Sequence, residues 1–89
     1  MLVIKRGQYF VARYRGDNGD LILGRVERVS RRRVTLLNLL SGNTSSKAKR
    51  VLLRRNARVS SDTAHALLGC WVATQDRQQT RQLAVALAS

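Results

Sequence analysis

The sequence predicts a mainly β fold, in which a small antiparallel barrel is followed by one or two C-terminal α-helices. The chain has 89 residues, which suits a single domain with a small core. Up to residue 59, short apolar segments alternate with turn residues at even spacing, as in small antiparallel barrels. From residue 60 onward, apolar residues recur at the spacing of an amphipathic helix instead.

The first predicted strand covers residues 8–15, where an apolar face alternates with a largely basic face that includes Arg13 and Arg15. The segment Gly16-Asp17-Asn18-Gly19 follows this strand. Gly and Asn adopt the positive backbone angles of a tight hairpin at little cost. The segment therefore predicts a turn, after which the second strand runs over residues 20–29.

The third predicted strand covers residues 34–40 and is nearly all apolar, as expected of a strand that is covered on both faces. A run this short is also compatible with a buried helix, but the β-branched Val34 and Thr35 favour a strand. Residues 41–46 are polar and predict a connecting loop. The chain then re-enters the sheet at residue 47, and a fourth segment leads toward residue 59.

A helix is predicted after the capping candidates Ser60, Ser61 and Asp62, because apolar side chains recur at helical spacing over residues 64–72. Residues 75–82 are polar all round, and an apolar stripe resumes after them. A second helix or a continuation of the first helix is therefore expected.

The chain divides into a basic barrel over residues 1–60 and a helical segment over residues 61–89 that packs on the barrel. The last apolar stripe of this segment comprises Leu83, Ala84 and Leu87. The preceding helix already has enough apolar surface to cover one open side of a small barrel. Two expectations for the stripe stay open, namely packing within the chain and self-association into a homo-oligomer.

The positive charge lies in the first two thirds of the chain. Seventeen Lys and Arg residues against five Asp and Glu residues leave a net charge of +12. Residues 61–89 are neutral, since Arg77 and Arg81 balance Asp62 and Asp76. A charge of this size exceeds what keeps a small domain soluble and indicates an acidic partner. The barrel is therefore expected to bind a polyanion.

The single cysteine bears on the cellular compartment. Cys70 cannot form an intrachain disulfide, which favours a reducing environment. The first residues place apolar side chains before charged ones, unlike a secretory signal, and no segment is apolar enough to span a membrane. We expect a cytoplasmic protein that associates with nucleic acid or the nucleoid.

The segment from Val11 to Gly42 resembles the Tudor branch of the SH3-like barrels in the order of its features. Ala12-Arg13-Tyr14 leads into an acidic, glycine-containing turn, the next strand contains Gly24-Arg25-Val26, and a further strand closes on Gly42. The resemblance implies an SH3-like, Tudor-like antiparallel barrel. Tudor readers of methylated Lys or Arg hold the cation in a cage of aromatic rings, whereas residues 21–23 are aliphatic. We therefore expect no aromatic cage, and basic SH3-like barrels that bind nucleic acid are the nearer analogy.

Basic side chains without nearby acidic partners are the candidate nucleic-acid-binding residues. The three adjacent guanidinium groups of Arg31, Arg32 and Arg33 can each engage a phosphate with two hydrogen bonds. A solvated basic turn is the alternative interpretation, but the other basic residues nearby favour phosphate contact. The full set of candidates is Arg31, Arg32, Arg33, Lys47, Lys49, Arg50, Arg54, Arg55, Arg58, Arg13, Arg15 and Arg28.

Other polar and aromatic residues receive simpler interpretations. Residues 41–46 could donate hydrogen bonds from their backbone amides and hydroxyl groups to phosphates, but a plain connecting loop is favoured. Tyr9 and Tyr14 could stack on unpaired bases, but core positions are favoured. His65 has no second ligand at metal-binding spacing, so no metal or other cofactor is expected. The acidic residues show no paired spacing suited to acid–base catalysis, and no glycine-rich phosphate loop precedes a helix, which predicts a protein without enzymatic activity.

The sequence thus predicts a non-enzymatic protein that contacts the phosphate backbone of DNA or structured RNA with little sequence specificity. The alternative is a protein–protein interaction module, such as an accessory or ribosome-associated subunit, that docks on an acidic partner. Binding to an anionic membrane surface is disfavoured, because no basic amphipathic helix is predicted. No small-molecule substrate is expected.

Overall fold

The computed structural model describes residues 3–16 and 19–89. These residues form a five-stranded antiparallel sheet, a short helix between its last two strands and two helices after it. In chain order the elements are β1 (Tyr9–Ala12), β2 (Leu23–Val29), β3 (Arg33–Asn38), β4 (Thr44–Ala48), α1 (Lys49–Arg55), β5 (Asn56–Val59), α2 (Ser61–Thr74) and α3 (Arg77–Ala88). The strand order is β4-β3-β2-β1-β5, so that β4 and β5 are the edges and the sheet is open. The prediction of an antiparallel sheet followed by helices is confirmed.

Apolar side chains cover both faces of the sheet. Residues that pair across antiparallel strands share a face, so the register assigns the strand residues to two cores. The first core, which α1 closes, consists of Ile4, Phe10, Leu21, Val26, Val34, Leu36 and Leu52. The second core, which α2 and α3 close, consists of Val11, Ala12, Ile22, Leu23, Ala57, Ala64, Leu67 and Ala84. The central strands of this short chain are therefore anchored from two sides.

Residues 41–59 differ from the prediction of a polar loop followed by one strand segment. Thr44-Ser45-Ser46 belongs to β4, and Val51-Leu52-Leu53 belongs to α1. Polar side chains suit β4, because it is an edge strand that bonds only to β3. The apolar triplet suits α1, because Arg50 and Arg54, four residues apart, share an exposed face of the helix while Leu52 is buried.

The first two strands are shorter than predicted. β1 ends at Ala12 and β2 begins only at Leu23, so both strands lack residues next to the turn that joins them. Gly19 has a φ of +86°, which agrees with the turn predicted there. Asp17 and Asn18, which were also predicted to form this turn, lie outside the described residues.

β3 buries one face rather than two. Val34 and Leu36 are buried in the first core, whereas Thr35 and Leu37 on the opposite face are only half-buried. The expectation that β3 is covered on both faces is therefore wrong. The helices cover the other face of the sheet around β1 and β5 and leave part of β3 open to solvent.

Two helices follow the sheet, and capping residues separate them. The Ser60 side chain accepts a hydrogen bond from the Thr63 amide at 3.2 Å, as predicted for the start of α2. α2 ends at Gln75, which takes the left-handed conformation with a φ of 51°. Asp76 then caps α3 by accepting a hydrogen bond from the Gln79 amide at 3.0 Å. Of the two alternatives, a second helix and a continuation of the first, the structure shows a second helix, with the break at residues 75–76.

A buried arginine docks α3 on the sheet. Arg81 is 4% exposed, and it donates to the backbone carbonyl of Tyr14 at 3.2 Å and to that of Asp20 at 3.1 Å. The neighbouring Thr80 is fully buried. Residues 75–82, although polar, therefore contribute two buried side chains. Carbonyl groups beyond the end of β1 supply the hydrogen bonds that make the burial of Arg81 favourable.

The last apolar stripe has a site within the chain. Ala84 is fully buried in the second core, and Leu83 packs against that core. Leu87 remains 38% exposed. Packing on the sheet thus accounts for most of the stripe, and self-association through the helical segment stays a prediction.

We predict that Arg81→Met lowers the free energy of unfolding by about 2 to 4 kcal/mol, because two charge-assisted hydrogen bonds to backbone carbonyls are lost. The matched control is Arg77→Met on the same helix. Arg77 is exposed and makes a single, longer bond of 3.3 Å to the Asp20 carbonyl, so its loss should change stability little. Urea denaturation followed by circular dichroism measures both variants. Equal effects of the two substitutions would contradict the docking role of Arg81.

Candidate nucleic-acid interface

A tight turn between β2 and β3 carries the most prominent basic residues. The Ser30 amide donates to the Arg33 carbonyl at 2.9 Å, and the Ser30 hydroxyl accepts from the Arg33 amide at 3.3 Å. Serine at the start of a turn commonly bonds to the backbone in this way. Arg31 and Arg32 therefore occupy the tip, where both side chains are exposed.

The start of α1 lies beside this turn. The β3–β4 register pairs Arg33 with Ala48, and the Lys49 amide donates to the Arg32 carbonyl at 2.9 Å. Together these contacts form a groove of about 620 Å³, which we name the hairpin groove. It is lined by Arg31, Arg32, Arg33, Ala48, Lys49 and Arg50. Five of these six residues are cationic, so the fold brings together basic residues from two separate stretches of the sequence.

The Arg33 guanidinium is held against β4. Its Nε donates to the Ser46 hydroxyl at 2.9 Å, and its Nη2 donates to the Ser46 carbonyl at 3.1 Å. Both bonds are exposed to solvent. They restrict the rotamers of a long side chain, and Arg33 therefore loses less conformational freedom when it binds an anion.

The carboxylates of the described residues are engaged away from the hairpin groove. Asp20 forms an ion pair with Arg55 at 2.8 Å, and Glu27 forms one with Arg25 at 2.8 Å. Asp62 and Asp76 lie at the starts of the helices α2 and α3, where the helix dipole favours negative charge. Within residues 3–16 and 19–89, no recorded ion pair neutralises a cation of the hairpin groove. The groove therefore keeps its positive charge.

The outer face of β2 shows one paired and one unpaired arginine. The hydrogen bond from Arg25 to Glu27, at 2.8 Å, raises the pKa of the Arg25 guanidinium. Glu27 therefore pairs with Arg25. Arg28 is exposed and lies opposite Thr35, which in turn lies opposite Ser46. Arg28 therefore shares a sheet face with the anchor of Arg33 and can extend the basic surface.

Two further candidates lie near the hairpin groove but outside its lining. Arg54 is exposed one helical turn after Arg50, so the two side chains share a face of α1. Lys47 pairs with Val34 on the opposite face of β4 from Ser46, and it lines a separate groove with Ser41, Asn43, Thr44 and Ser45. The polar segment thus stands beside one basic residue, but it does not line the hairpin groove.

The remaining candidates are dispersed. Arg58 on β5 lines a different groove with Tyr9 and the start of α2, and Arg13 lines one with the end of α3. Arg15 is exposed beyond the end of β1. Arg55 is bound to Asp20 as described above. The twelve candidates therefore do not form one continuous site, and the hairpin groove contains five of them.

Two serines that support the hairpin groove were not among the candidates. Ser30 closes the turn, and Ser46 anchors Arg33. The position of Ser30 directly before three arginines was a usable turn signal. The role of Ser46 depends on the β3–β4 register, which the sequence pattern of residues 41–46 did not indicate.

Residues 21–23, the position at which a Tudor reader would need aromatic rings, and His65, the one candidate metal ligand, do not line the hairpin groove. Residues 21–23 are buried, so they form core rather than a ligand surface. His65 is exposed and its Nδ1 lies 2.7 Å from the Ser61 carbonyl. Among the residues that the structure describes, no group of three or more His, Cys, Asp or Glu side chains could hold a metal ion.

Comparisons with known proteins give no information about this interface. No protein-family model, no curated protein and no solved structure matches the chain. The resemblance to Tudor-like barrels therefore stays a prediction from the residues that carry it. None of the described helices is long and apolar enough to cross a membrane.

We predict that brief treatment with phenylglyoxal modifies Arg31 and Arg32 before Arg81. The reagent must reach the guanidinium group, and the first two side chains are exposed while Arg81 is buried. Peptide mapping by mass spectrometry after several short exposures gives the order of modification. Labelling of Arg81 as early as that of Arg31 and Arg32 would contradict the burial of Arg81.

Proposed function

We propose that the protein binds DNA or structured RNA through the phosphate backbone, with little sequence specificity and without catalysis. The hairpin groove is the observation that supports this proposal. It concentrates five cations around one concave surface, and the carboxylates that the structure describes form their ion pairs elsewhere.

The chemistry of the lining suits phosphate. Guanidinium groups of Arg31, Arg32 and Arg33 can bind phosphate oxygens through two parallel hydrogen bonds each, and Lys49 adds a compact positive charge. Binding of these cations releases counterions that are condensed on the nucleic acid, which drives association at low salt. A polyanion also relieves the repulsion among closely spaced cations.

Weak sequence preference follows from the elements that carry the charge. Contacts to phosphates position a protein on nucleic acid, whereas base edges are read by side chains that enter a groove. The basic residues of the proposed interface lie on a turn and on the seven-residue helix α1. Arg77 and Arg81 are the only Lys or Arg residues of the longer helices α2 and α3, and Arg81 is buried. Neither longer helix therefore offers a basic recognition face.

We further propose that the sheet belongs to the SH3-like barrels, in their Tudor-like branch. The strand order β4-β3-β2-β1-β5 and the short helix between β4 and β5 support this assignment. The sheet is open between its edge strands, so the proposal concerns the order and direction of the strands rather than closure of a barrel.

We predict that the double variant Arg31→Ser/Arg32→Ser binds a nucleic-acid duplex about ten- to a hundredfold more weakly, because each lost charge-assisted hydrogen bond is worth roughly a factor of ten. The matched control is Arg6→Ser/Arg77→Ser, which removes two exposed charges outside the hairpin groove and outside the set of candidates. Fluorescence anisotropy with a labelled duplex measures all three proteins. A control that is as weak as the groove variant would indicate general charge attraction and overturn the assignment of the site.

The affinity should fall steeply with salt, because each neutralised phosphate contributes about 0.9 to the slope of log K against log salt concentration. Roughly four to eight contacts are expected, which gives a slope of about −4 to −7 by the same relation. The groove variant should have a slope that is shallower by about 2. A slope near zero, or equally tight binding to poly-glutamate of similar length, would reject nucleic acid as the ligand and favour an acidic protein partner.

A further inference from the structure

We propose that the hairpin groove selects double-stranded nucleic acid over single strands of the same sequence. This inference rests on the proposed function and adds the class of nucleic acid that the groove takes. Its basis is the position of the aromatic residues and the hydrogen-bonded frame that carries the cations.

All four aromatic residues of the chain lie away from the hairpin groove. Phe10 is fully buried, and Tyr9 packs edge-on against the ring of His65 with 5.8 Å between the centroids. Trp71 is half-buried on α2, and the exposed Tyr14 lines a groove with the end of α3. Proteins that bind single strands combine a basic groove with aromatic rings on which bases stack. A single strand in the hairpin groove therefore finds positive charge but no stacking partner.

The cations of the hairpin groove project from a rigid frame. The turn is closed by the Ser30–Arg33 bond of 2.9 Å, and α1 is tied to the turn by the Lys49–Arg32 bond of 2.9 Å. Ser46 additionally fixes the guanidinium of Arg33. A duplex presents its phosphates at regular, stiff spacings that such a frame can match. A single strand must first lose chain entropy to present its phosphates in the same arrangement.

The high charge density of a duplex also favours its binding over that of a single strand. Duplex DNA carries one charge per about 1.7 Å of its axis, and its condensed counterions contribute about 0.9 to the salt slope per contact against about 0.7 for a single strand. An interface that binds through charge and without stacking therefore gains more binding free energy from each phosphate of a duplex. The salt dependence should differ between the two forms along with the affinity.

The experiment compares a short mixed-sequence duplex with each of its separated strands, chosen to lack internal pairing. We expect the full-length protein to bind the duplex at least about tenfold more tightly at moderate salt, because the duplex has the higher charge density and loses no chain entropy to order its phosphates. The duplex should also show the steeper salt slope. A strand that binds as tightly as the duplex at every salt concentration overturns the inference.

A matched pair of variants tests the cause of the selectivity. Arg32→Trp and Arg32→Leu remove the same charge at the exposed tip of the turn, and both keep the backbone carbonyl that bonds to Lys49. Only the indole can stack on a base. We expect the Trp variant to bind single strands about tenfold more tightly than the Leu variant, while both bind the duplex alike. Equal binding of single strands by the two variants would overturn the role assigned to stacking.

The outcomes separate this inference from the proposed function. Salt-dependent binding of both forms with equal affinity would leave the proposed function in place and reject duplex selectivity. Absence of salt-dependent binding to either form would reject the proposed function and the selectivity together. Tighter binding to the duplex, with the expected difference between the two Arg32 variants, would support both.

Discussion

The pairing register of β3 and β4 is the constraint on which the basic surface depends. It sets Arg33 opposite Ala48, brings Ser46 within reach of the Arg33 guanidinium and delivers the Lys49 amide to the Arg32 carbonyl. A shift by one residue would turn every side chain of β4 to the opposite face. Val34 and Leu36 hold β3 in the first core, and Leu52 of α1, which directly follows β4, holds the end of β4 against the same core. These apolar requirements on β3 and α1 place Lys49 and Arg50, which follow the next strand, beside Arg31, Arg32 and Arg33.

The two cores explain how a strongly basic chain of this size holds its sheet in place. α1 covers one face with Leu52, and α2 and α3 cover the other face through Ala64, Leu67 and Ala84. Arg81 adds polar attachment of α3 to the backbone beyond β1. The cationic side chains of the turn and of α1 lie outside both cores, and Arg25 and Arg28 lie on the part of a sheet face that the helices leave uncovered. Charge repulsion acts at the surface, where solvent and salt screen it, and leaves the cores apolar.

The few carboxylates contribute to structure in ways that leave the hairpin groove positive. Asp20 binds Arg55 next to the end of α1, and Glu27 binds Arg25 on β2. Asp76 caps α3. Ion pairs that solvent still reaches, such as these two, stabilise a fold only slightly, but they determine which cations are already paired. A count of basic residues therefore overstates the binding surface, and the distribution of the acidic residues decides its extent.

The sequence by itself determined the antiparallel sheet, the helices after it, the turn at Arg31 to Arg33 and the concentration of charge before residue 60, because these features depend on local period, turn chemistry and composition. The edge strand at Thr44 to Ala48 and the helix at Val51 to Leu53 escaped sequence analysis, since edge position and burial depend on neighbours that are distant in the chain. The properties of the site residues also divide into those that the sequence indicated and those that the fold decided. Its arginine tripeptide was apparent from the sequence, whereas only the tertiary structure decided that Lys49 and Arg50 join it, that Arg55 is held by Asp20 and that Arg81 is buried. These outcomes depend on strand pairing and on through-space contacts, and a linear sequence specifies such contacts only through the fold.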